Sequence, residues 1–321
     1  MRVFICEFVT AGGLRGQELP ETLVPEGTRM RDALMADIES LPGVGSLLLA
    51  HDDRLPAPQE SSIPISAGAD PWAVWAELAA QADVVWPVAP ETHGLLARLV
   101  RLMKEKCEHV VASELAAVET CSSKLATAHR LASLGLPHIP TFPAAHPPAE
   151  LGGPVVTKPD DGAGCENTRR WASQADAPRD DGLVIQPFVE GTPASLSILV
   201  RPEGATLLTV NRQHLTEAEG VLSLSGLTVG GLGEDERIAR LVPAVVAAFP
   251  GLSGIIGIDI ILTPAGPVVV EVNPRITTSY AGLHRALAVN PAAFLREFIR
   301  DGRLPAMPRL PSATPVEVGL R

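Results

Sequence analysis

The sequence predicts an α/β protein: a parallel sheet with helices on both faces in the first third, then an α+β remainder. Three observations predict it. Strand-like and helix-like stretches alternate over the first 110 residues. From about residue 137 onward β-patterned runs dominate. Near residue 260 two β-branched runs flank a short turn and carry acids on one shared face. With 321 residues, 46% hydrophobic and 20% charged, the chain has material for two or three domains, or one large one, with real cores.

In order, residues 2–9 form a short apolar run read as a strand. Residues 26–41 place Met30, Ala33, Leu34, Asp37 and Ile38 at near-helical spacing. Residues 46–50 and 82–88 read as strands, and 72–80 and 93–106 as helices. Parallel sheets bind ligands at the carboxyl ends of their strands, here residues 7–13 and 87–93. A helix follows over 122–134, capped by Ser122 or Ser123 and ended by Gly135 and Pro137. Strands are expected at 154–159, 182–189, 195–201, 206–215 and 221–229, then a helix at 234–248. Strands at 255–263 and 267–273 and helices at 281–288 and 291–299 complete the body. The tail from Leu304, with Pro305, Pro308, Pro311 and Pro315, is expected to hold little regular structure.

Composition narrows the function. Lys plus Arg number 26 against 37 Asp plus Glu, a net charge of −11, which argues against a nucleic-acid partner and an anionic membrane surface. Cys6, Cys107, Cys121 and Cys165 form no C-x-x-C pair, which disfavours structural zinc and a disulfide scaffold. The opening apolar run is broken at Glu7, too soon for a signal peptide, and no stretch is long and apolar enough for a span. A cytoplasmic protein is expected.

The strongest local signal is residues 257–275. A three-residue loop, Pro264-Ala265-Gly266, would pair Thr263 with Pro267 and set Asp259 opposite Glu271. Asn273 then shares their face, while Ile258, Ile260, Val270 and Val272 turn into a core. Two facing carboxylates destabilise a hairpin unless neutralised, and hard divalent cations neutralise oxygen ligands well. A solvated acidic face is the alternative; the apolar strands around it favour the metal. Arg275 follows at once and could grip a phosphate; alone, an ordinary surface arginine fits that position equally well.

Lysines are scarce: only Lys104, Lys106, Lys124 and Lys158 occur. Lys158 ends a strand that runs into the glycine-bearing loop 160–168, where Gly162 and Gly164 would let backbone N–H groups approach phosphate. An ordinary turn fits that loop equally well, and its spacing is neither a Walker A loop nor a dinucleotide fingerprint. Residues 182–191 form an apolar strand ending in a bend, suited to an adenine ring or to a sheet edge at Pro187.

These pieces, in this order, resemble an ATP-grasp enzyme: Lys124 in Cys121-Ser122-Ser123-Lys124-Leu125, Lys158 before the glycine loop, Gln186-Pro187-Phe188-Val189-Glu190-Gly191, and Asp259 followed by Glu271-Val272-Asn273-Pro274-Arg275. The resemblance implies an ATP-grasp fold. It would comprise a Rossmann-like domain over 1–112, a lid subdomain over 113–185, a C-terminal subdomain over 186–303, and a tail over 304–321. It implies that Lys124 and Lys158 contact ATP phosphates beside Gly162 and Gly164. Gln186 would meet the adenine amino group, with the backbone at Phe188 and Val189. Asp259, Glu271 and Asn273 would hold two Mg²⁺, for which Mn²⁺ can stand in, and Lys158, Arg275 and Arg212 would serve the transferring phosphate. Many relatives carry an acid for the ribose just past the hinge; Thr192-Pro193-Ala194-Ser195 stands there instead.

The segments Phe4-Ile5-Cys6-Glu7-Phe8-Val9-Thr10-Ala11-Gly12-Gly13, Glu26-Gly27 and Asn211-Arg212-Gln213 are similar to the tyramine–glutamate ligases of methanofuran biosynthesis. That implies carboxylate–amine ligation on small molecules, in a group where homodimers are common. Glu7, Glu91, His93, Thr277, Thr278 and Ser279 are the candidates for the substrate side. A nucleotide-binding protein without catalysis, or a small-molecule kinase, would use the same frame; the intact acid set favours an enzyme.

Overall fold

A computed structural model describes residues 1–162, 164–299, 305, 306, 310 and 312–320. The N-terminal segment runs β1 (Arg2–Glu7), α1 (Leu23–Glu39), β2 (Ser46–Leu48), β3 (Ala50–Asp52), β4 (Ile63–Ile65), α2 (Pro71–Gln81), β5 (Val84–Val88) and α3 (Leu95–Lys106). Strands β2, β1 and β5 form a parallel sheet in that order, and β3 pairs with β4 in parallel. Period-2 alternation explains why this sheet is covered twice. Val3 and Ile5 face Met30, Leu34 and Ile38 of α1. Phe4 and Cys6 face Trp75, Leu78, Leu96 and Leu99 of α2 and α3.

Next come α4 (Leu115–Ser122) and α5 (Lys124–Ser133). The sequence suggests one helix over 122–134; the chain instead leaves the helix at Ser123 (φ −100°, ψ 119°) and restarts. Ser123 Oγ accepts from Ala126 N at 3.0 Å and donates to Asp160 Oδ2 at 2.7 Å, so the N-cap of α5 is fastened to the glycine loop.

The rest is a large antiparallel sheet: β6 (Phe142–Pro143), β7 (Val155–Pro159), β8 (Arg169–Trp171), β9 (Leu183–Pro187), β10 (Thr192–Arg201), β11 (Gly204–Ala218), β12 (Val221–Leu232), then α6 (Glu236–Ala248), β13 (Gly254–Thr263), β14 (Gly266–Asn273), α7 (Tyr280–Leu287) and β15 (Val316–Gly319). Its order is β14-β13-β10-β11-β12-β8-β7-β9-β6, with β15 on β12. One core lies between β10, β13, β14 and α6, around Leu196, Ile258 and Val245. Another joins the N-terminal sheet to α7, β12 and β15: Ile5, Leu34, Leu227, Leu283 and Val318 belong to it. The two halves of the chain therefore share a hydrophobic cluster.

Three expectations are corrected. The tail holds β15, in which Val318 is buried, with Leu320 buried just after it; Leu304, Pro308 and Pro311 lie outside the described residues. The helix expected over 291–299 is two short 3₁₀ turns, Pro291–Phe294 and Arg296–Phe298, because Leu295 turns extended and is buried in the core. The hairpin loop is two residues long, pairing Thr263 with Gly266 (φ 138°), a conformation that favours glycine. The register shifts between Asp259 and Ile260, so Val270 is left over as a bulge and Asp259 still faces Glu271. The bulge puts Val269 in the core and turns Val270 to a cavity wall.

Candidate active site

Asp259 of β13 and Glu271 of β14 sit on the wall between two cavities, and Gln213 of β11 lines both as well. The larger, about 310 Å³, has apolar sides that include Ile139, Val156, Val270 and Ile261. Its polar end is built from Lys124, Lys158 and the glycine loop. Lys124, the first residue of α5, donates from Nζ to Gly162 O at 2.6 Å and to Asp160 O at 3.3 Å. Its Nζ lies 3.5 Å from Glu271 Oε2, and Lys158 Nζ lies 3.9 Å from the same oxygen. Asp160 in turn accepts from Leu125 N at 2.8 Å, so helix, loop and lysines form one connected unit. Gly162 and Cys165 line this cavity and Gly164 the other.

Burial alone would push every charge here toward its neutral form. It does so for Lys158, whose ammonium is lowered despite the attraction of Glu271. It does so for Asp259, where the Glu271 charge adds to burial and drives the carboxyl well up. In Glu271 burial is outweighed by Lys124 and Lys158, which hold its carboxyl below the usual value. The Cys165 thiol is pushed up to about 12 by burial and by Glu271 and Asp259.

Two touching, half-buried carboxylates therefore share a proton or share a cation. Among the described residues no group of three or more His, Cys, Asp or Glu side chains gathers for a metal. The set here is two carboxylates and the amide of Asn273, which hydrogen-bonds to Asp259. The two carboxylates stand on the wall between the cavities and Asn273 lines the smaller one; all three offer hard oxygen donors, so they fit a magnesium-type ion.

At the far end of the larger cavity, Gln186 is buried on β9 and its Nε2 donates to Thr141 Oγ1 at 2.8 Å. Phe188 and Val189 line the same wall. The Phe188 N–H is already committed to Pro154 O at 2.9 Å, and the Arg170 guanidinium stacks over its ring at 4.1 Å.

The smaller cavity, about 90 Å³, opens on the other side of the acid pair, between the N-terminal sheet and the large one. Glu7, Thr277, Thr278 and Ser279 line it, as does Arg275. Glu7 Oε2 accepts from Thr10 N at 2.8 Å and Thr10 Oγ1 at 2.7 Å; burial nonetheless raises its carboxyl. Ser279 Oγ meets Thr277 Oγ1 at 3.0 Å and Ser197 Oγ at 2.9 Å, in a hydroxyl network that Asn211 Nδ2 joins at 3.1 Å from Ser197.

Three candidates are placed differently from expectation. Glu91 lines neither cavity; its Oε2 accepts from Arg275 Nη2 at 2.5 Å across a part-buried contact that ties the loop after β5 to the segment after β14. Burial would lower the Arg275 guanidinium, but Glu91 outweighs it. His93 is exposed at φ 54°, and what it supplies is a backbone N–H to Asp161 Oδ2 at 2.7 Å. Arg212 is exposed and lines neither cavity: it follows Val210 on the opposite face of β11 from Asn211 and Gln213. The cavities also bring in Glu26, Ser195 and Gln213, which the sequence reading did not assign. Gln213 Nε2 donates to Asp259 Oδ1 at 3.1 Å. Strand alternation around Arg212 is the signal that could have found it.

The sequence matches the pre ATP-grasp 3 domain over residues 46–118 and the ATP-grasp domain over residues 121–279. It is 26% identical over 201 residues to a tyramine–L-glutamate ligase of Methanocaldococcus jannaschii, covering 63% of this chain and 58% of that protein. It is 34% identical over 104 residues to a protein of the same name from Methanocaldococcus fervens, covering 32% of this chain and 34% of that one. The match thus spans less than two thirds of either relative's length. Among solved structures, a protein assigned to the ATP-grasp superfamily from Archaeoglobus fulgidus superposes with TM-score 0.72 at 21% identity, over 92% of this chain and 87% of that one. An L-amino acid ligase from Bacillus licheniformis superposes with TM-score 0.62 at 16% identity, over 92% and 73%. These likenesses show the fold. No helix among the described residues is long and apolar enough to cross a membrane.

Proposed function

We propose, for a chain that carries an ATP-grasp domain behind a pre-ATP-grasp domain, that it is an ATP-dependent carboxylate–amine ligase. It would join glutamate to a tyramine- or tyrosine-like amine in the assembly of a methanofuran-like one-carbon carrier, as the relatives' names suggest. The observation that carries the reading is the acid pair Asp259–Glu271 on the wall between two cavities, with two buried lysines on one side and Arg275 on the other.

ATP lies in the larger cavity. Lys124, Lys158 and the loop at Gly162 hold its phosphates. Gln186 and the hinge hold its base; with the Phe188 N–H already used, the Phe188 carbonyl and the Val189 amide are the recognition groups. Asp259, Glu271 and Asn273 would hold Mg²⁺, which when bound would neutralise phosphate charge.

The substrate carboxylate oxygen attacks the γ-phosphorus from the other cavity. The bond to the β–γ bridging oxygen breaks and ADP leaves. The acceptor's ammonium first gives up a proton to a carboxylate of the smaller cavity; the neutral amine nitrogen then attacks the acyl carbon, the C–O bond to phosphate breaks, and phosphate departs carrying the second N–H proton. Arg275, fixed by Glu91, stabilises the transferring group. What the residues contribute is alignment and charge compensation in a site shielded from water.

Mg²⁺-dependent ADP release tests the reading, with L-glutamate and tyramine, tyrosine or related amines supplied singly and in pairs. ADP release that requires glutamate and one amine together is the expected result. Nucleotide binding without ADP release on any pair would favour a non-catalytic binder. Glu271→Gln is expected to abolish turnover while leaving the fold intact; full activity in that variant would remove the site assignment.

A further inference from the structure

The smaller cavity carries more negative charge than the phosphoryl transfer uses. Its described lining includes the acids Glu7, Glu26, Asp259 and Glu271, and Arg275 as its one cation. Arg275 is paired with Glu91. Glu271 faces Lys124 and Lys158, and Asp259 accepts from Gln213. Glu7 is held by three donors from the bend after β1: Val9 N at 3.3 Å and the two groups of Thr10.

Glu26 is different. It stands in the first turn of α1, where the helix dipole favours an anion. Thr278 Oγ1, at 3.1 Å from Oε2, is its one hydrogen-bond donor among the described residues. Arg275 and Arg29 attract it, but neither forms an ion pair with it among the described residues, and burial raises its carboxyl. Val9, Leu23, Met30 and Leu227 share the cavity wall with it. An anion short of partners beside an apolar wall matches a cation with an apolar body, and a primary amine at neutral pH is such a cation.

Resting on the ligase reading above, we infer that Glu26 determines amine specificity: its carboxylate takes the ammonium group of the acceptor while the apolar wall takes its body. The N-terminal domain thereby selects the nucleophile, and the ATP-grasp body activates the carboxylate.

Calorimetric titration of the full chain tests this with tyramine, phenethylamine and tyrosol, the last being the alcohol analogue of tyramine. The expected result is binding of the two amines, none of tyrosol, and at least a tenfold loss of amine affinity in Glu26→Gln. Glu26→Gln is nearly isosteric and keeps an acceptor for Thr278. Glu26→Asp, which keeps the charge, should retain more affinity than Glu26→Gln. Unchanged ADP affinity in both variants verifies that they fold. Equal amine binding by wild type and Glu26→Gln, equal loss in both variants, or no amine binding by wild type would overturn the assignment. The ligase reading fails separately, on ADP release by the wild type. An active ligase whose Michaelis constant for the amine is unmoved in Glu26→Gln keeps that reading and loses Glu26.

Discussion

Asp52 has no exposed side-chain surface, and Arg54 and Arg15 clasp it at 2.6 and 3.0 Å. Burial raises its carboxyl, but the hydrogen bonds from Arg54 and both guanidinium charges outweigh burial and hold it below the usual value. A depressed folded pKa contributes stability that is complete above the unfolded value and is lost as pH falls through the folded one. Asp52→Asn should therefore cost about 3 kcal/mol in urea unfolding at pH 7. The gap to wild type should close as the pH drops below about 4; a gap constant over that range would mean the ion pair contributes nothing. Single residues of the candidate site were legible where strand alternation fixes a face: Asp259, Glu271 and Asn273 are named by it, since the bulge at Val270 lies on the turn side of the pairs Asp259–Glu271 and Gly257–Asn273. Arg212 was misjudged because a charged residue on a strand attracts notice while its neighbours decide the face. Glu26 was missed because helical periodicity marks the side packed in a core, and Glu26 is neither core nor solvent.

Among elements, α1 carries Gly27 directly over Glu7. Replacing a helix-interior glycine by alanine ordinarily gains about 1 kcal/mol. Here a Cβ would lie 2.6 Å from the Glu7 carboxylate, which three donors hold in place. Gly27→Ala should destabilise by about 1–3 kcal/mol instead. In a Glu7→Ala background the same change should turn stabilising, a double-mutant cycle readable by urea unfolding. At α6, Asp235 accepts from Arg237 N at 2.9 Å and Ile238 N at 3.0 Å, so Asp235→Ala should cost about 1 kcal/mol. An unchanged midpoint would show that water replaces the cap. Most elements could be read from period and punctuation. The break at Ser123 could not, because its cause, Asp160, lies 37 residues away. Nor could β15, whose pairing partner β12 is far off in sequence and whose surroundings are rich in proline.

For the molecule as a whole, the cores bind the N-terminal sheet, α7 and β15 into one body, with the two cavities on either side of the acid pair. A ligand that binds only the folded chain at 100 times its dissociation constant adds about 2.7 kcal/mol. MgADP should therefore raise the unfolding temperature by several degrees in a scanning experiment, and Lys158→Met should lose most of that rise. An equal rise in both proteins would place the phosphates elsewhere. The alternation of the N-terminal sheet was legible as an architecture; the second cavity was not, because it exists only where α1 and the strand ends of the N-terminal sheet approach the large sheet and residues 277–279. A wall shared by two chambers also has a pharmacological meaning. On the proposed ligase reading, one molecule that carries a nucleotide diphosphate at one end and an aryl-ethylammonium at the other, joined through a phosphonate, would occupy both chambers at once. Tethering makes the second contact intramolecular, so such a hybrid inhibitor should outbind either half by far more than the sum of its contacts suggests.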